Sequence, residues 1–490
     1  MITASPPSST SHAGALERLN LGYVWLISAV AAMGGLLFGW DWVVIGGAKP
    51  FFERYFHLSS ESQVGWANSC ALIGCLFGAM SAGALSDRFG RKPLLIASAM
   101  LFAVTSIGNG LAATFQVFVT WRILGGVAIG LASSLSPMYI SEIAPAQMRG
   151  KLVSINQLTI VVGILLARLI NWFLVRNMGA EMQAALGSGA SEAAKDEFIR
   201  HSWFGQSGWR WMFGITSLPA VLFLLGMFLV PESPRWLLKN GKTERSRSTL
   251  TRIGGPEYAE TAISEIGSTL AAEEIQHVRF KDLLERRMTR VLILGIVLAV
   301  FQQWCGINVV FNYAEEIFRA AGYDISDVLM NIAWTGSVNL VFTFVALAAV
   351  DRIGRRPLML LGAGGLALIY AALGICFAAG VKGLPMLILV LCAIGCYSMS
   401  LAPVVWVVIS EIFPNRIRGA AMSVAVMSLW IACFILTYTF PLLQSKLGAS
   451  GTFWLDGGIC ITGLLFILKN LPETKGRTLE EIEHDLLTEP

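Results

Sequence analysis

Charged residues are scarce in this chain of 490 residues: Asp, Glu, Lys and Arg make up 14 %, whereas hydrophobic residues make up 55 %. A soluble core of this size could not hide so much apolar surface, which excludes a soluble globular protein. The net charge of only +4 gives no argument for a nucleic-acid partner.

Cysteine is also sparse. All eight cysteines lie within apolar runs and none has a metal-ligand spacing, so we expect neither disulfides nor a metal site. The sequence contains no Asn-x-Ser/Thr, which favours a bacterial inner membrane over a glycosylated cell surface. Residues 1–20 lack the basic segment and cleavage site of a signal peptide, so the first span is expected to insert uncleaved.

Long apolar runs fill the rest of the chain. Each is about 20 residues long, enough to cross roughly 30 Å of hydrocarbon as a helix. The sequence therefore predicts an all-α membrane protein. The predicted spans cover residues 22–47, 63–85, 93–112, 116–140, 152–175, 209–230, 291–318, 328–350, 357–379, 384–409, 419–443 and 452–470.

Basic residues crowd the connections that follow even-numbered spans, as around Arg88 and Arg352, while the opposite loops carry few. This bias predicts that both chain termini are cytoplasmic. Residues 177–207 form one long outer loop without a helical pattern. Residues 231–290 predict short amphipathic helices under the bundle, with a solvated linker as the alternative.

Two charged strings occur twice. Residues 87–93 (DRFGRKP) return as 351–357 (DRIGRRP), and residues 141–145 (SEIAP) return as 410–414 (SEIFP). A weaker match pairs 231–233 (PES) with 472–474 (PET). The chain is therefore a duplicated membrane bundle, an arrangement typical of proteins that transport a substrate across the membrane. The expected divisions are a tail (1–20), a six-helix bundle (21–230), a helical linker (231–290), a second six-helix bundle (291–470) and a tail (471–490).

The repeated strings place carboxylates and guanidiniums at helix ends, where they can interlock across helices and must part in another conformation. The alternative is that these charges only satisfy membrane topology. The residues expected to form this cytoplasmic gate are Asp87, Arg88, Gly90, Arg91, Glu142, Arg149, Glu232, Asp351, Arg352, Gly354, Arg355, Glu411, Arg418 and Glu473.

Together with 231–236 (PESPRW), 302–308 (QQWCGIN) and 472–476 (PETKG), these strings resemble the sugar porter family of the major facilitator superfamily, over about residues 22 to 485. The resemblance implies two pseudo-symmetric six-helix bundles, with a central sugar site that opens alternately to either side. It implies no cofactor.

The resemblance implies a sugar site that includes five of the uncharged amides inside apolar runs: Gln157, Gln302, Gln303, Asn308 and Asn339. An unsatisfied amide in hydrocarbon costs about 2–7 kcal/mol, so each needs a partner. A sugar hydroxyl donates and accepts as an amide does; hydrogen bonds between helices are the alternative. Gly306 indicates local unwinding of span 7.

The resemblance adds six further substrate-site residues. Trp406 and Trp430 match family tryptophans that cover a sugar ring, and Phe38 matches an aromatic residue of span 1. Asn312 and Tyr313 stand where the family commonly has two tyrosines, and Ile164 weakly favours a hexose. Leu429 and Cys433 replace amides that are usual beside Trp430, which puts the identity of the sugar in doubt.

Three charged residues inside predicted spans stand out: Asp41, Arg122 and Arg168. Asp41 on span 1 must be paired or protonated, and Arg122 on span 4 is its natural partner; the proton-coupled members of the family carry this pair. A permanent structural ion pair is the alternative. Arg168 replaces a residue that is usually uncharged. It could snorkel to the surface, pair with an acidic residue, or contact a substrate more polar than a plain hexose.

We therefore expect a monomeric, proton-coupled symporter for a hexose or pentose that works by alternating access in the inner membrane. A facilitative uniporter and a non-transporting sugar sensor are the alternatives. An enzyme is disfavoured, because Asp41 has no second acid–base group nearby on the predicted helices. No P-loop Lys or redox ligand set is present for ATP-driven or electron-driven transport.

Overall fold

The structure, a computed structural model, describes residues 19–145, 148–187, 190–275, 286–323, 325–413 and 418–475. Every regular element in these ranges is a helix. Eleven helical stretches among them are long and apolar enough to cross a membrane. The last, Ala420–Asn470, has 51 residues, about twice the length of one crossing, and Gly448 breaks it at a φ of +68°. The described chain therefore carries the twelve spans that the sequence predicts.

Spans 1 to 5 are single helices, and span 6 is a helix pair that follows a π-helical turn at Phe204–Gly208. The helices of this half are α1 (Leu21–Tyr55), α2 (Glu61–Phe89), α3 (Arg91–Leu111), α4 (Phe115–Ile143), α5 (Arg149–Val175), α6 (Met178–Leu186), α7 (Glu192–His201), α8 (Trp209–Gly214) and α9 (Ser217–Leu229).

The second half follows two linker helices. Spans 7 and 10 are broken helices, and spans 11 and 12 are the two parts of α19 on either side of Gly448. The helices are α10 (Pro234–Lys239), α11 (Thr243–Ile275), α12 (Arg286–Trp304), α13 (Ile307–Asn312), α14 (Ala314–Ala320), α15 (Ile325–Ile353), α16 (Arg355–Ala378), α17 (Leu384–Met399), α18 (Leu401–Ile412) and α19 (Arg418–Asn470).

Short polar residues start several helices. The side chains of Ser60 and Thr114 accept hydrogen bonds from the backbone N–H groups of Gln63 and Val117, respectively. At the opposite end, single glycines turn the chain between α2 and α3 and between α15 and α16. Gly90 has a φ of +102° and Gly354 a φ of +107°, which other residues rarely adopt. We call this the basic end of the bundle, since it carries the two DRxGR loops.

Spans of the first half pack backbone to backbone through small residues. A Cβ atom on Gly126 would collide with the carbonyl oxygen of Ala71, so spans 2 and 4 touch at this point. Similarly, a Cβ on Gly39 would collide with the carbonyl of Ile160, which brings spans 1 and 5 together. Such close approach gives the helices van der Waals contacts, which hold them together in lipid, where the hydrophobic effect does not favour their association.

Two predictions about the connections have different outcomes. Residues 177–207 are not a patternless loop: they form α6, α7 and the start of the π-helical turn. Ser191 caps α7, and Arg54 Nη2 of span 1 lies 2.6 Å from Asp196 Oδ1, so a cap and an ion pair stabilise this helix, which the apolar pattern did not reveal. The helices expected in 231–290 are present as α10 and α11; residues 276–285 lie outside the described ranges.

Candidate functional site

Asp41 and Arg122 form an ion pair inside the membrane. Arg122 Nη1 donates to both carboxylate oxygens of Asp41, at 2.9 Å and 2.8 Å. Asp41 is 6 % exposed and Arg122 is 3 % exposed. Both line a small cavity with Trp42, Asn68 and Cys75. The structure therefore forms the pair that the sequence predicts, while the proton-coupling role of this pair stays a prediction.

The three polar side chains of span 7 contact one another across the break in the helix. Gly306, at a φ of +83°, separates α12 from α13, as the sequence predicts. Asn308 Nδ2 donates to Gln303 Oε1, and Gln303 Nε2 donates to Gln302 Oε1 at 3.2 Å. Gln302 Nε2 donates to the carbonyl oxygen of Ala402 on span 10, at 3.3 Å. All three amides are buried. They form a relay of donors and acceptors that hydroxyl groups could join.

The remaining predicted amides lie on other helices. Asn339 on span 8 accepts a hydrogen bond from Ser398 Oγ at 2.7 Å, and it is buried. Gln157 on span 5 is half-buried, and Ile164, two turns further, is buried.

Three aromatic rings join span 1 to span 11. Phe38 lies 6.0 Å from Trp430 and 5.8 Å from Trp42, and the two tryptophans are 6.1 Å apart, all between ring centroids. Phe38 and Trp430 were expected at the site, whereas Trp42 was not. Its position one helical turn after Phe38 was the available signal. Trp406 stays 37 % exposed and makes no ring contact within the described part of the chain.

Tyr313 on span 7 contacts residues of both halves of the chain. Its hydroxyl donates to the carbonyl of Thr437 at 2.7 Å, and its ring centroid lies 4.4 Å from that of Phe440. Lys49 Nζ of span 1 lies 4.2 Å from the Tyr313 ring centroid. The hydroxyl is thus already engaged. The side chain of the neighbouring Asn312 lies outside the described part of the structure.

At the basic end, one buried network ties spans 3 and 4 to the linker. Arg91 Nη2 donates to Glu142 Oε1 at 2.9 Å, and its Nη1 donates to Asp87 Oδ1 at 3.2 Å. Glu232 Oε1 accepts from the backbone N–H groups of Arg91 and Lys92 at 3.1 Å and 3.2 Å. Arg91 thus interlocks with two of the predicted carboxylates, while the role of these residues as a gate stays a prediction.

The second half repeats this network with its own residues. Arg355 Nη2 donates to Glu411 Oε1 at 3.1 Å. Glu473 accepts from the backbone N–H groups of Arg355 and Arg356, at 3.0 Å and 3.1 Å. A Cβ atom on Gly354 would meet Glu473, and one on Gly90 would meet Glu232, so each carboxylate needs its glycine. Both networks hold helices within one half of the chain.

Several residues expected in the gate lie apart from these networks. Arg149 is exposed and makes no ion pair with any described residue, because Glu142 takes Arg91 as its partner. Arg88 lies over its neighbour Phe89. Arg352 contributes its carbonyl oxygen, which accepts from Lys475 Nζ at 2.6 Å, rather than its charge. The side chains of Asp351 and Arg418 lie outside the described part of the structure.

Asp456 on span 12 is a buried carboxyl that the sequence pattern did not single out. Its Oδ2 has no hydrogen-bond partner among the described residues, and a Cβ atom on Gly306 would lie 2.8 Å from that oxygen. A carboxyl inside the apolar run 452–470 was the available signal. Its position beside Gly306 explains why only glycine fits the break in span 7.

Replacing Gly306 by alanine should therefore disturb the break in span 7, on either side of which Gln303 and Asn308 lie. A positive φ costs a residue with a Cβ about 1–2 kcal/mol, and the added methyl would press on Asp456. We expect a lower melting temperature and weaker ligand binding. Gly458→Ala on span 12 is the matched control, because a Cβ there meets nothing within 4 Å. Equal melting temperatures for both variants would contradict this account.

The partly buried Glu232 makes the stability of the basic end depend on pH. Burial raises the pKa of this carboxyl above its ordinary value of 4.5, although backbone N–H groups at Ser233, Lys92 and Arg91 oppose the shift. The folded chain therefore holds this proton more tightly than the unfolded chain. The stability that Glu232 contributes should fall as pH rises from about 4.5 through the raised pKa.

Melting temperatures measured across that pH window test this prediction. Glu232→Gln should show a shallower fall than the native chain, because the amide does not titrate. Parallel pH profiles for the two proteins would contradict it.

Comparisons with known proteins agree with this arrangement. A family model described as sugar (and other) transporter matches residues 27–486. The chain is 37 % identical over 497 residues to the D-xylose-proton symporter of Escherichia coli, an alignment that covers 95 % of this chain and 96 % of that protein. It is 39 % identical over 491 residues to the glucose transport protein of a Synechocystis species, covering 98 % and 100 %.

Solved structures show the same fold. An inward-open structure of the xylose transporter from E. coli superposes with a TM-score of 0.79 at 37 % identity, covering 94 % of this chain and 99 % of that one. The proton:xylose symporter of the major facilitator superfamily bound to 6-bromo-6-deoxy-D-glucose gives a TM-score of 0.77 at 37 % identity, covering 95 % and 100 %. The predicted fold class is therefore confirmed.

Proposed function

The chain belongs to the family of sugar (and other) transporters, and on that premise we propose that it is a proton-coupled sugar symporter that works by alternating access. The observation that carries the proposal is the buried pair of Asp41 and Arg122, since a sugar that merely diffuses down its gradient needs no titratable group in the membrane. Relatives named as proton symporters for D-xylose and arabinose support the same coupling.

The sugar site is proposed at the break in span 7. Gln302, Gln303 and Asn308 would exchange their mutual hydrogen bonds for bonds to sugar hydroxyls, which leaves no amide unsatisfied in either state. Phe38 and Trp430 supply aromatic faces for the C–H surface of the ring. Further contributors to the proposed site are Gln157, Ile164, Asn312, Tyr313, Asn339 and Trp406.

Proton coupling follows from the chemistry of the ion pair. Protonation neutralises Asp41 and releases Arg122, so the link between spans 1 and 4 weakens. A neutral carboxyl can cross between the two sides of the membrane with the moving site, whereas an ionised, unpaired one would be costly. Sugar and proton therefore move together.

The two networks of the basic end would let each half move as a unit. We propose that the 21–230 and 291–470 bundles rock about the sugar site, joined by the 231–290 linker, with tails at 1–20 and 471–490. The positive-inside bias supports a cytoplasmic location for the basic end and both termini of a chain in a bacterial inner membrane. A single chain would be the working unit.

Uptake of labelled sugars into proteoliposomes tests this function. The panel contains pentoses, hexoses, polyols and disaccharides, each offered with and without an inside-alkaline pH gradient. We expect one or more sugars to accumulate above the outside concentration only when the gradient is present. Equal final concentrations under both conditions would make the chain a facilitator, and no uptake with retained sugar binding would favour a sensor.

A further inference from the structure

Arg168 and the two residues that it contacts lie on three different spans, each about one helical turn from a residue of the proposed sugar site. On span 5, Arg168 is four residues after Ile164. Its guanidinium contacts Thr335, four residues before Asn339 on span 8, and Phe311, three residues after Asn308 on span 7. Each neighbour is thus one turn away from a proposed sugar residue, so Arg168 faces the end of the site.

The guanidinium is buried but incompletely bonded. Arg168 is 1 % exposed, which excludes snorkelling to the surface. Its Nη1 donates to Thr335 Oγ1, and its Cζ lies 4.8 Å from the Phe311 ring centroid. Nε and Nη2 have no hydrogen-bond partner among the described residues. At least two donors therefore remain available in a site closed to water.

Other buried arginines of the described chain are satisfied differently. Arg122 contacts Asp41, and Arg91 contacts Glu142. Arg168 contacts no carboxylate in the part of the chain that the structure describes. A buried guanidinium without an anion is costly, and its planar fork matches a carboxylate with two parallel hydrogen bonds. The missing partner is therefore an anion that is not part of the described protein.

We propose that Arg168 binds the carboxylate of an acidic sugar, so that the transported substrate is a hexuronate or a related sugar acid. This inference rests on the proposed function, because it assigns the substrate class of the same site. The span 7 amides would hold the ring hydroxyls, and the carboxylate carbon beyond the ring would point toward Arg168. Leu429 and Cys433 supply no amides on span 11, so this ion pair would replace hydrogen bonds lost there.

Charge gives an independent signature. A hexuronate anion that moves with one proton is electrically neutral as cargo, whereas a neutral sugar with one proton carries one positive charge. Uptake of the acid should therefore be insensitive to membrane potential, set with potassium and valinomycin, while still requiring the pH gradient. Uptake of a neutral sugar by the same route would respond to both.

The test compares glucose with glucuronate and galactose with galacturonate in proteoliposomes, together with ligand-induced tryptophan fluorescence in detergent. For the native chain we expect uptake and binding of at least one acid. Arg168→Met should lower that acid's apparent affinity at least tenfold and change that of its neutral partner less than threefold. Arg168→Lys should restore part of the loss. Arg176→Met, which changes an exposed arginine just after the end of α5, is the matched control and should behave as the native chain.

One possible result is that the native chain takes up glucose or galactose but neither binds nor transports the corresponding uronate. That result would overturn this inference and leave the symport proposal standing. An equal loss of apparent affinity for the neutral sugar and for its acid in Arg168→Met would also overturn the inference, because it would indicate a structural role for Arg168. If the native chain neither binds nor moves any sugar of either class, the proposed function fails together with it.

Discussion

Asp41→Asn is expected to abolish sugar accumulation while leaving sugar exchange intact. The amide keeps the size of the carboxyl and resembles its protonated form, so the variant should still pass through the states that exchange sugar. It cannot carry a proton. A gradient of one pH unit supports up to about tenfold accumulation in the native chain, because one unit corresponds to about 1.4 kcal/mol. The variant should reach only equal concentrations.

Counterflow, in which unlabelled sugar inside drives entry of labelled sugar, measures the exchange that Asp41→Asn should retain. Asp456→Asn is the matched control, because it removes a second buried carboxyl that forms no ion pair within the described part of the chain. That variant should still accumulate sugar. Accumulation by Asp41→Asn, or its loss in Asp456→Asn alone, would contradict the assignment of the proton to Asp41.

Loss of Arg91 should destabilise the protein more than loss of its repeat counterpart Arg355. The side chains of Arg91 and Glu142 are 8 % and 10 % exposed, whereas those of Arg355 and Glu411 are 15 % and 22 % exposed. Breaking a buried pair leaves an uncompensated charge and costs about 3–5 kcal/mol. Arg91→Met should therefore lower the melting temperature clearly, and Arg355→Met should lower it less.

A double-mutant cycle separates the ion pair from other effects of Arg91→Met. Adding Glu142→Gln removes the carboxylate that would otherwise stay buried alone, so the double variant should recover part of the lost stability. Additive losses from the two single changes, or an equal loss in Arg355→Met, would show that the network does not work as the geometry suggests.

Charge in apolar surroundings is what made much of the site predictable from sequence. A carboxylate inside a helix needs a cation, and the resemblance to the proton-coupled members of the family indicated Arg122 rather than Arg168 as the partner of Asp41. The duplicated strings likewise located both networks. The choice of partners within the networks was harder to predict. Glu142 pairs with Arg91 on the preceding helix rather than with Arg149 on the following one, because helix rotation and packing decide which donor is within reach.

Other features could not be predicted because their cause is tertiary. Trp42 becomes a site neighbour only when span 11 brings Trp430 against span 1. The hydrogen bond of Arg168 to Thr335 depends on how span 5 meets span 8. Helix α7 is held by a cap at Ser191 and by the ion pair of Arg54 with Asp196, which hydrophobic periodicity does not report.

Simultaneous recording of pH and sugar entry tests the central claim most directly. Sugar is added to de-energised, weakly buffered cells that express the chain, and the pH of the medium is followed. Proton-coupled symport predicts an immediate alkalinisation, in fixed proportion to the sugar taken up and absent with Asp41→Asn. Sugar entry with no change in external pH would contradict it.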